Sequence, residues 1–164
     1  MAITVVQSLG MGAFGMSSGG EPVSTSAMAR VTGALLCLIV AGIHVIDQGG
    51  FPGDKGPDYV AIGYYVLEGV AILTAIALAA DLARLGWFVA IGVALGPLVG
   101  YVLSRGPGLP GYTDDIGNWT EPLGLASLLV EAMLLVLASM MFVRSLRRAQ
   151  PVTHVISAPQ PPSF

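Results

Sequence analysis

Four long apolar segments dominate the sequence, and a short polar stretch separates each one from the next. About 20 apolar residues in helical form are enough to cross the hydrocarbon core of a bilayer. A segment that crosses lipid must also satisfy its backbone hydrogen bonds internally, which favours helices. The pattern therefore predicts an all-α membrane protein, a four-helix transmembrane bundle. The predicted spans are residues 27–46, 59–80, 85–103 and 122–143.

The two ends of the chain differ in composition from the predicted transmembrane domain, residues 27–148. Residues 1–26 are rich in Gly, Ser and Met, and no basic stretch precedes an apolar run there, as it would in a cleavable signal peptide. We expect a flexible or interfacial N-terminal tail. Residues 149–164 are Pro-rich and are expected to form a disordered C-terminal tail.

Basic residues are distributed unevenly around the predicted spans. Since Lys and Arg accumulate on the cytoplasmic side of membrane proteins, the distribution predicts cytoplasmic N and C termini, with loops 47–58 and 104–121 outside. The Arg-over-Lys usage is typical of a bacterium with a GC-rich genome, so the predicted location is a bacterial inner or plasma membrane. The side with more basic residues holds Arg30, Arg84, Arg144, Arg147 and Arg148, and the other side holds Lys55 and Arg105.

Composition and motifs exclude several classes of protein. Only 10% of the 164 residues are charged, against about 25% in soluble domains. The single cysteine, Cys37, excludes an intrachain disulfide framework and a CxxC motif. Seven Lys and Arg residues provide no basic patch for nucleic acid. With no Walker A, GxSxG or HExxH motif, we predict no enzymatic activity and no cofactor. The expected partners are the lipid bilayer and other membrane subunits, or further copies of the chain.

Two glutamates, Glu68 and Glu131, lie inside apolar spans. Each is about ten residues from the outer loop, or roughly 15 Å along a helix, which is near the middle of the hydrocarbon core. Ionisable residues at that depth are a functional-site hypothesis by default. If the two carboxyls face each other, they could share a proton or bind a cation, because both cannot ionise cheaply. Alternatively, each is a protonated group that hydrogen-bonds a neighbouring helix, with Tyr64, Tyr65 and Ser127 as local partners.

His44 and Asp47 are i, i+3 neighbours at the outer end of the first span. An aspartate in this position could orient the imidazole for acid–base chemistry or metal binding, although a purely structural pair is the favoured interpretation. His44 is the only histidine in the predicted spans, so a haem with two His ligands cannot be built within one chain. Together with Asp47, Glu68 or Glu131 it could form a mixed nitrogen and oxygen metal site, and the sequence leaves the presence of a metal open.

The loop before the fourth span is dense in Gly and Pro, which predicts defined turns. Its oxygen ligands would suit Ca²⁺ or Mg²⁺, but the spacing is not that of an EF-hand. We favour a structured cap in which Trp119 anchors at the outer membrane interface, as Trp87 would at the inner one. The candidate residues of this loop are Asp114, Asp115, Asn118, Trp119 and Glu121.

Gly92, Gly96 and Gly100 recur every four residues along the third span. Such a glycine stripe lets another helix approach closely. We therefore expect the third and fourth helices to pack through it, and a helix of another subunit is the alternative.

Two functions remain open on the sequence alone. The favoured one is a non-enzymatic accessory or structural subunit of a larger membrane assembly. The alternative is a proton- or cation-coupled transporter or channel that uses Glu68 and Glu131, with His44 at its outer mouth. Glutamates that point into one interior beside a cavity would favour transport, whereas outward-facing glutamates would mark a partner surface.

Overall fold

The computed structural model describes residues 25–148, which form four helices. No strand is present among these residues, where an isolated β-bridge joins Leu109 and Tyr112. All four helices are long and apolar enough to cross a membrane, which confirms the predicted all-helical architecture and suggests a multi-pass membrane protein. The interpretations of the two tails concern residues 1–24 and 149–164, which lie outside the described residues. The helices are α1 (Thr25–Asp47), α2 (Asp58–Ala79), α3 (Ala83–Arg105) and α4 (Pro122–Arg148).

Helix α4 begins with a proline whose missing N–H costs nothing at that position. The preceding residue, Glu121, caps the helix. Its carboxylate accepts a hydrogen bond from the backbone N–H of Gly124 at 3.2 Å, and its carbonyl accepts the first helical bond from Leu125 at 3.0 Å. This cap satisfies a backbone donor that would otherwise be exposed at the helix start.

The helices form a square in which neighbours along the perimeter are in contact. Helix α1 lies against α2 and α4, and α3 lies against the same two helices. Across the diagonals, α1 touches α3, but α2 and α4 do not meet within the described residues. The loops 48–57 and 106–121 lie at one end of the bundle, called here the loop end, and the first residues of α1 and the last of α4 lie at the termini end. The gap between α2 and α4 leaves room for a cavity.

Toward the termini end the bundle is closely packed and apolar. Trp87 is only 1% exposed, so the expectation that it anchors at a membrane interface is wrong. A Cβ atom at Gly33 would lie 2.6 Å from the Trp87 ring, so the missing side chain of this glycine is what admits the indole between α1 and α3. The buried core around this contact includes Leu78, Ala90, Leu134 and Ala138.

The glycine stripe on α3 does not have the predicted role within the chain. A Cβ atom added at Gly92, Gly96 or Gly100 would find no other atom within 4 Å in the described structure. Helix α4 therefore packs on α3 without using these glycines as a close-contact face. A stripe of small residues permits a close approach, but the neighbouring helix takes it only where the rest of the packing agrees. Packing of the stripe against another subunit stays a prediction.

Candidate ligand cavity at the loop end

A cavity of about 390 Å³ lies between α2 and α4 at the loop end, and all four helices contribute to its walls. This volume is within the range of small-molecule binding sites. Hydrocarbon side chains and tyrosine rings form much of the lining, and polar groups are set among them. The titratable residues of the lining are His44, Asp47, Tyr59, Tyr64, Tyr101, Arg105, Tyr112, Asp115, Glu121 and Glu131.

Glu131 lies at the deep end of this cavity with a side chain that is 1% exposed. The hydroxyl of Ser127, one helical turn earlier on α4, donates a hydrogen bond to its Oε1 atom at 2.5 Å. Nε2 of His44 lies 3.9 Å from the same oxygen. The structure thus brings together a carboxyl group from α4 and an imidazole from α1, one of the combinations that the sequence left open.

The backbone of α1 determines which nitrogen of His44 carries a proton when the ring is neutral. Nδ1 lies 2.9 Å from the carbonyl oxygen of Val40, and a carbonyl can only accept a hydrogen bond. Nδ1 must therefore be the donor, which leaves Nε2 as the acceptor on the side that faces Glu131. One proton can then reside either on the Glu131 carboxyl or on Nε2. The pair is suited to take up and release a proton.

Asp47 does not orient His44 through a hydrogen bond, since that role belongs to the Val40 carbonyl. Its carboxylate instead accepts a hydrogen bond from the hydroxyl of Tyr64 and lies 2.6 Å from Nζ of Lys55. The Tyr64 ring in turn packs against the imidazole of His44, with 5.4 Å between the ring centroids. Asp47 is therefore a neutralised group that positions the tyrosine beside the histidine.

Glu68 is also buried, but it does not line the cavity with Glu131. Nε2 of Gln48 donates a hydrogen bond to its Oε1 atom at 2.7 Å, and the two residues are 4% and 6% exposed. The two glutamates are separated because their helices, α2 and α4, lie on the diagonal of the bundle. Glu68 thus has the character of a structural hydrogen-bonding group between helices.

The contacts of the glutamates also define their height in the bundle. Glu131 lies beside His44 in the last turn of α1, and Glu68 contacts Gln48, which follows the end of α1. Each glutamate lies near the middle of its own helix in residue number. Its side chain nevertheless contacts a residue at or just after the last turn of α1. The polar groups of the bundle are therefore concentrated at the loop end.

The loop 106–121 forms a cap over the cavity, and Arg105 organises it. Nε of Arg105 donates a hydrogen bond to the Asn118 carbonyl at 2.9 Å, and its two terminal nitrogens donate to Ser104 at 3.1 Å and Glu121 at 2.9 Å. The guanidinium also lies 3.7 Å from the carboxylate of Asp115 and 3.9 Å from the centre of the Tyr101 ring. Its side chain is 8% exposed.

Two of the side chains that the sequence suggested for Ca²⁺ or Mg²⁺ lie at this guanidinium instead. Asp115 and Glu121 pair with Arg105, whereas Asp114 and Asn118 are exposed. Within residues 25–148, no group of three or more His, Cys, Asp or Glu side chains is placed to hold a metal ion. Trp119 is 45% exposed and accepts a hydrogen bond from Tyr101 through its carbonyl oxygen. The structured-cap interpretation fits this geometry better than the metal site.

Gln48, Tyr101 and the role of Arg105 were not predicted from the sequence. Arg105 is the last residue of an apolar span and precedes a Gly-Pro-rich loop with three acidic residues, so its position could have suggested a buried counter-ion. Gln48 gave no comparable signal, because its partner lies 20 residues away on another helix.

Comparison with known proteins finds no matching family model, no similar curated protein and no similar solved structure. A hypothesis about function therefore depends on the chemistry of the cavity alone.

Proposed function

We propose that the protein is a proton- or cation-coupled transporter whose binding site is the cavity at the loop end. The observation that supports this proposal is the His44–Glu131 pair, with 3.9 Å between Nε2 and Oε1, at the deep end of a cavity of about 390 Å³. A buried carboxyl group beside an acceptor nitrogen provides a place for one exchangeable positive charge. This was the alternative function in the sequence analysis, and the presence of Glu131 in a cavity wall now favours it over the accessory-subunit function.

The packing of the bundle suggests one state of a transport cycle. The cavity is at the loop end, whereas the termini end is filled by Trp87 and the apolar side chains around it. Alternating access requires a site that reaches one side of the membrane at a time. In this proposal the described conformation is the one that faces the loop end.

We further propose that the loop end faces outward and that both termini are cytoplasmic, as the distribution of Lys and Arg suggests. In a Cys37→Ala background, Asp54→Cys and Asp114→Cys should react with an impermeant thiol reagent that is added to intact cells. Arg84→Cys and Arg147→Cys should react only after the cells are opened. All four positions are exposed in the structure, so the reversed labelling pattern would mean the opposite orientation.

The test of transport uses the two glutamates as a matched pair. In liposomes with an imposed pH gradient, the wild-type protein should dissipate the gradient or move a cation. Glu131→Gln keeps the size and hydrogen bonds of the side chain but removes its ionisation, so it should abolish this flux. Glu68→Gln is the control, since the amide can still meet Gln48 and the flux should be largely retained.

Two outcomes contradict the proposal. If wild-type protein that folds normally moves neither protons nor cations, the transport function is wrong. If Glu68→Gln abolishes flux while Glu131→Gln retains it, the cavity described here is not the site.

A second candidate function, an accessory subunit of a larger assembly, is supported by a separate feature. A shallow apolar groove of about 530 Å³ lies between α2 and α3, with Gly63 and Gly92 in its walls. A Cβ atom on either glycine would meet open space in the described structure. If another subunit packs here, Gly92→Leu should reduce the mass of the complex in native mass spectrometry and leave flux unaffected.

A further inference from the structure

The size of the cavity suggests an occupant larger than a bare ion. A volume of about 390 Å³ is far more than a proton or a dehydrated metal cation requires, and it corresponds to the lower range of organic-ligand sites. Ile43, Val60, Leu67 and Leu123 contribute hydrocarbon to the walls. An occupant that is complementary to these walls has an apolar body.

The hydroxyl groups of the lining tyrosines are already engaged. Tyr59 donates to the Pro110 carbonyl at 2.8 Å, Tyr101 to the Trp119 carbonyl at 2.7 Å, and Tyr112 to the Asp115 carboxylate at 2.9 Å. Tyr64 donates to Asp47. These bonds hold the hydroxyls, so the tyrosines offer the cavity aromatic rings, which attract cations as well as apolar groups.

Each carboxylate that faces the cavity has a lysine or arginine partner except Glu131, although Asp115 and Glu121 share one guanidinium. Asp47 has Lys55 at 2.6 Å, and Asp115 and Glu121 have Arg105 at 3.7 Å and 2.9 Å. Within the described residues, no lysine or arginine lies within ion-pair distance of Glu131. Its partners are Ser127 and the acceptor nitrogen of His44, so once the proton of the pair has left, the ionised Glu131 requires a positive charge from the occupant.

Building on the proposed function, we infer that the substrate is a protonated amine with an apolar body, which replaces a proton at the His44–Glu131 pair. An ammonium group has several N–H donors, and the site has two acceptors for them, the carboxylate of Glu131 and Nε2 of neutral His44. Amine binding releases the proton that the empty pair holds, so one ammonium ion enters and one proton leaves to the water at the loop end. The total charge of the site is unchanged by the exchange.

The titration of the pair takes place among charged groups from every element that surrounds it. Besides the pair itself, α1 contributes Asp47, α2 contributes Tyr59 and Tyr64, and α3 contributes Tyr101 and Arg105, while the loops add Lys55, Tyr112, Asp115 and Glu121. Each carboxylate of this set has a lysine or arginine within 4 Å, so we assign the proton released on binding to His44–Glu131.

The test is isothermal calorimetry of the purified full-length chain in detergent, with benzylamine as the probe. We expect saturable binding with release of about one proton, measured as the dependence of the heat on the ionisation enthalpy of the buffer. Benzyl alcohol has a similar shape but no charge, and should bind at least about tenfold more weakly. Glu131→Gln should lose at least about tenfold in affinity for benzylamine, and Glu68→Gln should bind as the wild type does.

The outcomes separate this inference from the function on which it rests. If benzyl alcohol binds as well as benzylamine, or if benzylamine binding releases no proton, the inference is wrong. If benzylamine does not bind but liposomes still show a cation or proton flux that Glu131→Gln abolishes, the proposed function stands and its substrate is a small ion. If neither binding nor flux depends on Glu131, both are wrong.

Discussion

Arg105 should be a main determinant of stability at the loop end. Its guanidinium joins three parts of the structure, the end of α3, the loop 106–121 and the start of α4, through hydrogen bonds to Ser104, Asn118 and Glu121. Arg105→Met keeps the length of the side chain but removes the charge and all of these bonds. Loss of one partner from a buried charge network costs about 3–5 kcal/mol. The Asp115 and Glu121 side chains are 19% and 29% exposed, so water can partly replace the guanidinium. We therefore expect Arg105→Met to lower the free energy of unfolding by about 3 kcal/mol.

Two further variants test whether geometry as well as charge matters. Arg105→Lys restores the charge, but a single ammonium head cannot reach the Asn118 carbonyl and the Glu121 carboxylate as a planar guanidinium does. We expect it to recover part of the stability and to remain about 1–2 kcal/mol below the wild type. Lys55→Met is the control, since a partly exposed single ion pair contributes about 1 kcal/mol or less.

The assay is equilibrium unfolding in detergent micelles followed by tryptophan fluorescence. The two tryptophans report different regions, Trp119 the cap and Trp87 the packed end of the bundle, so single-tryptophan variants show whether the cap loosens before the core. If the free energy of unfolding of Arg105→Met lies within about 1 kcal/mol of the wild-type value, the guanidinium network does not stabilise the loop end. The same conclusion holds if Arg105→Lys is no more stable than Arg105→Met.

Two other predictions concern a helix contact and the cap. Gly33→Ala should lower the free energy of unfolding by about 1–3 kcal/mol, because the added methyl group overpacks against Trp87. Gly92→Ala places its methyl group in open space, so it should raise the free energy of unfolding by up to about 1 kcal/mol through helix propensity. Equal effects of the two substitutions would contradict the packing argument. Burial and the adjacent Asp115 carboxylate raise the pKa of Tyr112 above its ordinary value. Its contribution to stability is therefore complete below about pH 10 and decreases as the pH rises further, because the unfolded chain loses the proton first. In the same unfolding assay, Tyr112→Phe should lose less stability than the wild type as the pH rises above about 10. If both proteins lose the same amount, the pH dependence belongs to other groups.

The four helices could be predicted from the sequence because apolar length is a local property. Each span is nearly continuous in hydrophobic residues. A single segment that crosses lipid can satisfy its backbone hydrogen bonds only as a helix. The breaks were visible for the same reason, since polar loops rich in Gly and Pro interrupt the apolar runs, and Pro122 is suited to the first position of a helix.

The residues of the candidate site were predicted, whereas the sequence left open which carboxyl group lies beside His44. Glu131 and His44 stood out as ionisable residues in apolar spans, but their contact depends on the rotation of two helices and on which helices are neighbours. A contact between Glu68 and Glu131 required α2 and α4 to be adjacent, and the square arrangement puts these helices on a diagonal.

The errors in the glycines and aromatics have a common physical cause. Small residues at regular spacing make a close helix contact possible, yet the contact that the bundle uses is at Gly33, where a large ring fills the space. Trp87 was assigned to a membrane interface from its position near a span end. It is buried instead, because an indole offers more apolar area to the core than the small residues around it.

The cavity also explains why one of the two glutamates is the better candidate for function. Glu68 has an amide partner, Gln48, and a protonated carboxyl there leaves no buried charge. Three other carboxylates of the lining, Asp47, Asp115 and Glu121, each have a lysine or arginine within 4 Å. Glu131 has only a hydroxyl and an imidazole beside it, so once the proton of the pair has left, its negative charge requires a positive charge from outside the chain. A residue whose charge balance depends on what enters the cavity is the one that can couple binding to proton movement.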